Sequence, residues 1–284
     1  MPREKFTGSG KVLLIAGGGR IYTDIAARFV KSERSLEEII ASPYSRELVA
    51  AILSSGHKAA LEFDFFLFGV EGYSRVTETQ LVRKRIASYL IKSGRAELGG
   101  KRAFSLVYPE EIGKFAASVP LPPEALEFPP ELGEAEREKL AGLRLRLDAR
   151  LLGSLSEQWY GQGLLAGLAE EDLRYMKPQA TEFKAIIGMN AHALLDWFAI
   201  RCCRNAQAEI RDLAGKMLDL CKKQVPDLFR AAGPACVQLG YCPENKAQNK
   251  QCAGIVPTRD EALEILRRAR KSARAAKKGG SFQN

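Results

Sequence analysis

QLVRKRIASYLIKSGR, residues 80–95, decides more of the reading of this chain than any other stretch. Val82, Ile86 and Tyr89 or Leu90 recur at helical spacing, which predicts a helix with its buried side along them and Ser74 as its N-cap. Gln80, Arg83 and Ala87 then share a second stripe, so that Gln80 and Arg83 reach one ligand together. Ser93 and Arg95 follow in the turn after the helix, where Gly94 permits the close backbone approach that anion sites require. Gln80, Arg83, Arg85, Ser93 and Arg95 thus form a set suited to a phosphorylated, planar ligand. Taken alone, Arg83, Lys84 and Arg85 also fit a solvated basic helix face.

Working outward, residues 11–16 predict a short strand, and Gly17 to Gly19 interrupt it before a helical stretch over 21–30. The Gly-Gly-Gly-Arg turn matches neither the dinucleotide fingerprint nor a P-loop. A helix over 45–55 is closed by Gly56. Residues 60–70 read as a strand, with Leu61, Phe63 and Phe65 alternating against Glu62 and Asp64. Downstream, 103–108 is strand-like, and the prolines and glutamates within 99–134 mark a surface excursion. Helical pattern resumes at Glu134 and, broken near Gly153 and Gly161, continues to Leu168; Pro178 closes the connection that follows. A long helix is predicted over 181–200, with Ile187, Leu194, Leu195 and Phe198 inward and Asn190, His192 and Asp196 outward. His192 and Asp196 are four apart and close enough to pair. Another helix covers 206–224 and ends before Pro226.

The 284 residues are enough for a sizeable core, and 46% hydrophobic with 27% charged residues is an ordinary globular balance. No apolar run approaches the roughly 20 residues of a spanning helix, so the expectation is a cytoplasmic protein with no membrane partner. Of the net charge of +9, +5 lies between Arg259 and Lys278, in a terminal helix that Thr258 and Glu261 open as a capping box. No aromatic residue interleaves with those charges before Phe282, so base stacking is unsupported and a nucleic-acid partner is not expected. Six cysteines crowd the last third of the chain and read as reduced thiols. Two histidines without a serine or cysteine signature argue against a hydrolytic triad. Cys236, Cys242 and Cys252 match no usual zinc spacing, although three thiols need only a fourth ligand from elsewhere; no metal is assigned.

Several blocks agree in order and spacing with one family. Gly56-His57 through Leu61-Glu62, Arg75, residues 80–89, Ser93-Gly94-Arg95, Arg174, Met189-Asn190-Ala191, Arg201, Ala206-Gln207, Glu209-Ile210-Arg211 and Gly233-Pro234 to Tyr241-Cys242-Pro243 resemble flavin-dependent thymidylate synthases. The resemblance spans about 46–244 apart from the proline-rich excursion. It implies a mixed α/β fold, mainly antiparallel sheet flanked by long helices, in a homotetramer whose active sites are shared between subunits. With the basic helix and tail read above, the expected organisation is one domain of this type over 1–258 followed by that helix and tail over 259–284.

The implied chemistry is C5 methylation of dUMP, with methylene-tetrahydrofolate as carbon donor, FAD as redox carrier and NADPH as reductant. Carried over by position, Gln80, Arg83, Ser93, Gly94, Arg95, Arg174 and Arg201 are nucleotide contacts. Arg201 is the catalytic arginine, held against the uracil ring, where a fixed positive charge favours the ionised N3 and an electron-rich C5. Arg83, Lys84, Arg85, Asn190, His192 and Asp196 are the implied cofactor contacts. The chain departs from the family's pattern on the flavin side: Phe63, Lys84, His192, Ile91 and Ala208 replace a histidine, a histidine, an arginine, a Glu or Gln and an aromatic. Two other readings therefore stand beside dTMP synthesis: methylation of another pyrimidine nucleotide such as UMP, and nucleotide binding without redox chemistry.

Overall fold

The computed structural model describes residues 3–6, 8–19, 21–93, 105–109, 133–244, 252 and 255–279. Its strands are β1 (Arg3–Phe6), β2 (Lys11–Ala16), β3 (Phe65–Ser74), β4 (Ser88–Ile91), β5 (Ser105–Tyr108) and β6 (Glu182–Asn190). Its α-helices are α1 (Tyr22–Phe29), α2 (Leu36–Ala41), α3 (Arg46–Ser55), α4 (Arg75–Leu81), α5 (Glu134–Leu165), α6 (Glu170–Leu173), α7 (Ala191–Arg201), α8 (Ala208–Gln224), α9 (Pro226–Phe229), α10 (Ala235–Leu239) and α11 (Arg259–Gly279). The chain divides into two compact units, the first being Met1–Gly17, Phe65–Met189 and Ala208–Leu213 and the second the remainder.

The first unit is built on a four-stranded sheet ordered β2-β3-β6-β4, in which β2 with β3 and β4 with β6 are antiparallel. A two-stranded parallel sheet joins β1 and β5. Along β3, Phe66, Phe68 and Val70 are buried, and along β6, Phe183, Ala185 and Ile187 are buried. The intervening residues face the other side, the period of two that a half-covered strand requires. That other face is apolar as well: Leu13, Ile15, Phe65 and Leu90 stand 53–75% exposed. Gly17 (φ 113°) lets the chain turn after β2, where a Cβ would stand 2.7 Å from the Phe65 carbonyl.

The second unit is helical. Leu194, Trp197 and Phe198 of α7, Ile39, Val49 and Ile52 of α2 and α3, Met217 and Cys221 of α8, and Phe229 of α9 are buried. Phe198 meets Phe229 edge to face at 6.1 Å. Asp64, 5% exposed, accepts the Tyr22 and Thr23 N–H groups at 2.7 and 3.0 Å, neutralising the first turn of α1.

The strand at 11–16, the helices over 21–30 and 45–55 with the Gly56 C-cap (φ 78°), the helix of 206–224 and the Thr258–Glu261 capping box are all found, within a residue or two. Four expectations are corrected. The helix assigned to 80–95 stops at Leu81 and the chain returns as β4; Val82, Ile86 and Leu90, which mimic a helical stripe, are 41%, 64% and 75% exposed. Gln80, Arg83 and Ala87 accordingly share no helix face. The helix over 181–200 is a strand as far as Asn190, because Phe183, Ala185, Ile187 and Met189 alternate inward before α7 begins. The strand of 60–70 begins only at Phe65; residues 58–63 form a 3-10 turn, and the expected alternation holds at buried Leu61 and exposed Glu62 but is inverted from Phe63 on, with Asp64 buried and Phe63 and Phe65 exposed. Helix α5 runs unbroken through Gly153 and Gly161 and ends at Leu165. Gly94, Arg95 and most of the 99–134 excursion lie outside the described residues.

Candidate functional site

The turn after α4 concentrates cations, and Tyr89 fixes it. From β4 its hydroxyl reaches Leu81 O at 2.9 Å and Lys84 O at 3.0 Å, while Lys84 N–H donates to Leu81 O at 3.3 Å. One phenol therefore ties both ends of the Val82–Lys84 loop to the sheet. Burial pushes the Tyr89 phenol up to about 12, so it remains a neutral donor at ordinary pH. Beyond β4 the entry to Ser93 is also held: Arg75 pairs with Glu78 and donates to Lys92 O at 3.0 Å, and Lys92 N–H donates to Lys184 O at 2.8 Å.

The start of α4 is anchored from a distant part of the sequence. Ser74 is its N-cap residue, as expected, but the Ser74 side chain does not cap the helix. Its N–H donates to Glu209 at 2.6 Å, and its hydroxyl donates to the other carboxylate oxygen. Next to it Tyr73 donates to Asp212 at 2.9 Å; burial and this carboxylate push the Tyr73 phenol upward. Helix α4 is thus held at its first turn by Glu209 and at its last by Tyr89. Gln80, half-buried, is carried between them, and Arg83 and Arg85 are exposed with Lys84 half-buried in the turn. Ser93 is exposed just past β4, and Arg174 is exposed on the 3-10 turn Arg174–Met176 of the same unit.

The remaining expected residues belong to the second unit. Asn190 is 6% exposed rather than outward, and its Oδ1 accepts from Ala193 N–H at 2.8 Å, capping α7. His192, half-buried, stands between two carboxylates, with Nδ1 3.3 Å from Glu62 and Nε2 3.9 Å from Asp196. The expected pairing with Asp196 is present, and Glu62 is the nearer partner. Arg201 is the last residue of α7 and half-buried, where a cation complements the helix C-terminus. Cys202 follows it, its thiol pushed up to about 11 by burial. Phe63, 61% exposed, lines an apolar groove of about 570 Å³ with Tyr22, Ile25, Phe29 and Leu36. This groove offers burial for a flat body and few polar partners.

Tyr89, Glu209 and Asp64 escape sequence reasoning as positioning residues. Each acts on a backbone segment that no local pattern links to it; Glu209 and Ser74 are 135 residues apart. Glu209 was visible only as part of the Glu209-Ile210-Arg211 block.

The description "Thymidylate synthase complementing protein" matches residues 19–227. The chain is 38% identical over 198 residues to the flavin-dependent thymidylate synthase of Nitratidesulfovibrio vulgaris, covering 70% of this chain and 72% of that protein. It is 37% identical over 227 residues to the flavin-dependent thymidylate synthase of Clostridium tetani, covering 77% and 84%. Among solved structures, the UMP/dUMP methylase PolB from Streptomyces cacaoi, bound with 5-Br dUMP, superposes with a TM-score of 0.59 at 19% identity, over 80% of this chain and 95% of that one. This last likeness is one of fold, and the mixed α/β architecture with its antiparallel sheet agrees with it. With a family match across most of its length and relatives of this identity, the chain belongs to the thymidylate synthase complementing protein family.

Proposed function

We propose that this chain methylates C5 of dUMP to give dTMP, with FAD as cofactor and methylene-tetrahydrofolate and NADPH as co-substrates. The observation that carries the reading is the basic turn Arg83-Lys84-Arg85, held rigid by Tyr89 in a chain that belongs to this family. Rigid placement matters because a cation fixed in advance loses little entropy when an anion arrives. Gln80, Arg83 and Ser93, with Gly94 and Arg95, receive the nucleotide phosphate and sugar, and Arg174 adds a further cation. Arg201 is assigned to the pyrimidine, where its charge would stabilise the N3 anion and raise electron density at C5.

The donor set fits a flavin dinucleotide in one respect that the structure itself supplies: three consecutive cations on a pinned turn match a diphosphate. Arg83, Lys84 and Arg85 would hold that group. Asn190, His192 and Asp196 would meet the remainder of the cofactor, with the Glu62 and Asp196 carboxylates suited to hydroxyl groups rather than phosphate. When bound, the flavin supplies the hydride and relays the one-carbon unit. Lys84 would meet the diphosphate as a point charge in place of an imidazole.

Self-association belongs to the same proposal. The open sheet face of Leu13, Ile15, Phe65 and Leu90 is a contiguous apolar surface of the kind that oligomers cover. A homotetramer with active sites shared between subunits accounts for it. Residues 1–258 form the catalytic portion of this reading, residues 259–284 a basic appendage, and the cytoplasm the working compartment. No helix among the described residues is long and apolar enough to cross a membrane.

The test is two measurements on purified protein. Incubation with FAD followed by gel filtration leaves flavin absorbance on the protein, and tritium is released from C5-labelled dUMP in the presence of the co-substrates. Release from UMP in preference to dUMP transfers the assignment to the related pyrimidine methylase. Colourless protein that releases tritium from neither nucleotide refutes both and leaves a nucleotide-binding protein.

A further inference from the structure

Helix α11 has two chemically different sides, and both are open to solvent. Its start is fixed by the Thr258 N–H, which donates to Glu261 at 2.8 Å. At 1.5 Å per residue its 21 residues reach about 31 Å. Ala262, Ile265, Leu266 and Ala269 fall at i, i+3, i+4 and i+7 and share one face, while Arg267, Arg270 and Lys271 share a neighbouring one. Ile265 and Leu266 stand 58% and 56% exposed, and every side chain from Leu263 to Ser272 is exposed. Charge is divided along the helix as well. Its acids, Asp260, Glu261 and Glu264, lie in the first two turns; Glu261 serves the cap and Glu264 pairs with Arg268 at 3.2 Å. Beyond them Arg267, Arg268, Arg270, Lys271, Arg274, Lys277 and Lys278 follow with no acid between. Among the described residues, no ion pair engages Arg267, Arg270 or Lys271.

We propose that α11 is a docking helix for the surface of a bilayer that contains acidic phospholipids. It lies in the plane of the interface, with Ile265 and Leu266 toward the acyl chains and its cations on the headgroup phosphates. The two sides together select this partner. A nucleic acid would answer the cations and leave the apolar side in water, and no aromatic residue stands among those charges to stack on a base. A second copy would cover the apolar side but set two helices of the same positive sign against each other. An acidic lipid surface answers both sides at once: the bulky apolar side chains enter the acyl boundary, and the long Lys and Arg side chains reach back to the phosphates. Two bulky side chains and two alanines bury little area, so charge carries most of the attraction and the binding is reversible and salt-sensitive. The expectation of no membrane partner rested on the lack of a spanning run, which concerns crossing a bilayer and has no bearing on a helix lying along its surface. This inference is independent of the methylation proposal.

Sedimentation of the full chain with sucrose-loaded vesicles tests it. Phosphatidylcholine vesicles containing phosphatidylglycerol should carry the protein down, pure phosphatidylcholine should not, and raising salt from about 0.1 to about 0.5 M should weaken binding roughly tenfold or more. Ile265→Gln with Leu266→Gln should lower the vesicle affinity roughly tenfold, and Arg267→Gln with Arg270→Gln and Lys271→Gln roughly a hundredfold. All five side chains face solvent, so circular dichroism and the melting temperature should stay at wild-type values. Protein that stays in the supernatant with acidic vesicles overturns the proposal. So does binding that the apolar variant leaves unchanged while the charge variant loses it, which identifies a general polyanion site. A short DNA duplex that binds more tightly than the vesicles and displaces them overturns it in favour of nucleic acid. Self-association that the apolar variant abolishes, without vesicle binding, overturns it in favour of a second copy. The comparison of acidic with neutral vesicles is read on the wild-type chain, so it decides the matter even if a variant fails to fold.

Discussion

Replacing Tyr89 by Phe removes one oxygen and leaves the ring in place, which isolates the bond that fixes the basic turn. The hydroxyl has one proton and two carbonyl acceptors, Leu81 O at 2.9 Å and Lys84 O at 3.0 Å. Losing a net hydrogen bond costs about 1 kcal/mol, and leaving partly buried carbonyls underserved adds up to about another 1 kcal/mol. A destabilisation of about 1–2 kcal/mol follows, shifting the thermal midpoint by a few degrees for a chain of this size. The effect on ligand binding has the same origin: if the turn samples open states that the bond now suppresses, dUMP affinity falls by roughly 5- to 30-fold. The raised phenol adds a pH signature. A group whose pKa is higher folded than unfolded contributes stability that is complete below the unfolded value, near 10, and is lost as pH rises through the folded value of about 12. Wild type therefore loses this contribution between about pH 10 and 12, and the Phe variant lacks that share of the decline. Urea unfolding across pH, with dUMP titration at neutral pH, provides the readings. A Phe variant with wild-type stability and unchanged dUMP affinity would show that the turn is set by something other than Tyr89.

Three further expectations come from the same geometry. Glu209→Gln weakens two bonds to Ser74 that a charged acceptor strengthens, and should destabilise the chain by about 1.5–3 kcal/mol in denaturant, with Ser74→Ala adding little once Glu209 is changed. Arg201→Ala should lower turnover on the order of 10²-fold or more while circular dichroism and the melting temperature stay near wild type; an unaltered rate removes Arg201 from the mechanism. Lys84→His should tighten FAD binding if the lysine is the weak point in the cofactor set, as read by flavin fluorescence titration, and no gain means that the cofactor meets this turn differently.

Much of the fold is legible in the chain because it rests on local rules. The strand of β2, the helices α1, α3 and α8, the Gly56 C-cap and the Thr258–Glu261 capping box follow from spacing, glycine conformational freedom and capping chemistry within a few residues. The same holds for the site's inventory: the cations of 83–85 and the ordered blocks around Asn190 and Arg201 mark the family from residue identity alone.

What the chain could not declare is which of two periods wins where both are present. Val82, Ile86 and Leu90 fit a helix as well as Tyr89 and Ile91 fit a strand, and β4 exists because β6 offers it an antiparallel partner. The helical run of 181–200 likewise yields to β3 and β4, the neighbours of β6 in the sheet. A strand's hydrogen bonds are satisfied by another segment, so its stability depends on a partner that no local window contains. For the same reason, the long-range clamps, Glu209 on Ser74 in the first unit and Asp64 on Tyr22 and Thr23 in the second, belong to tertiary structure alone. Residue identity named the cations, and long-range pairing decided where they stand.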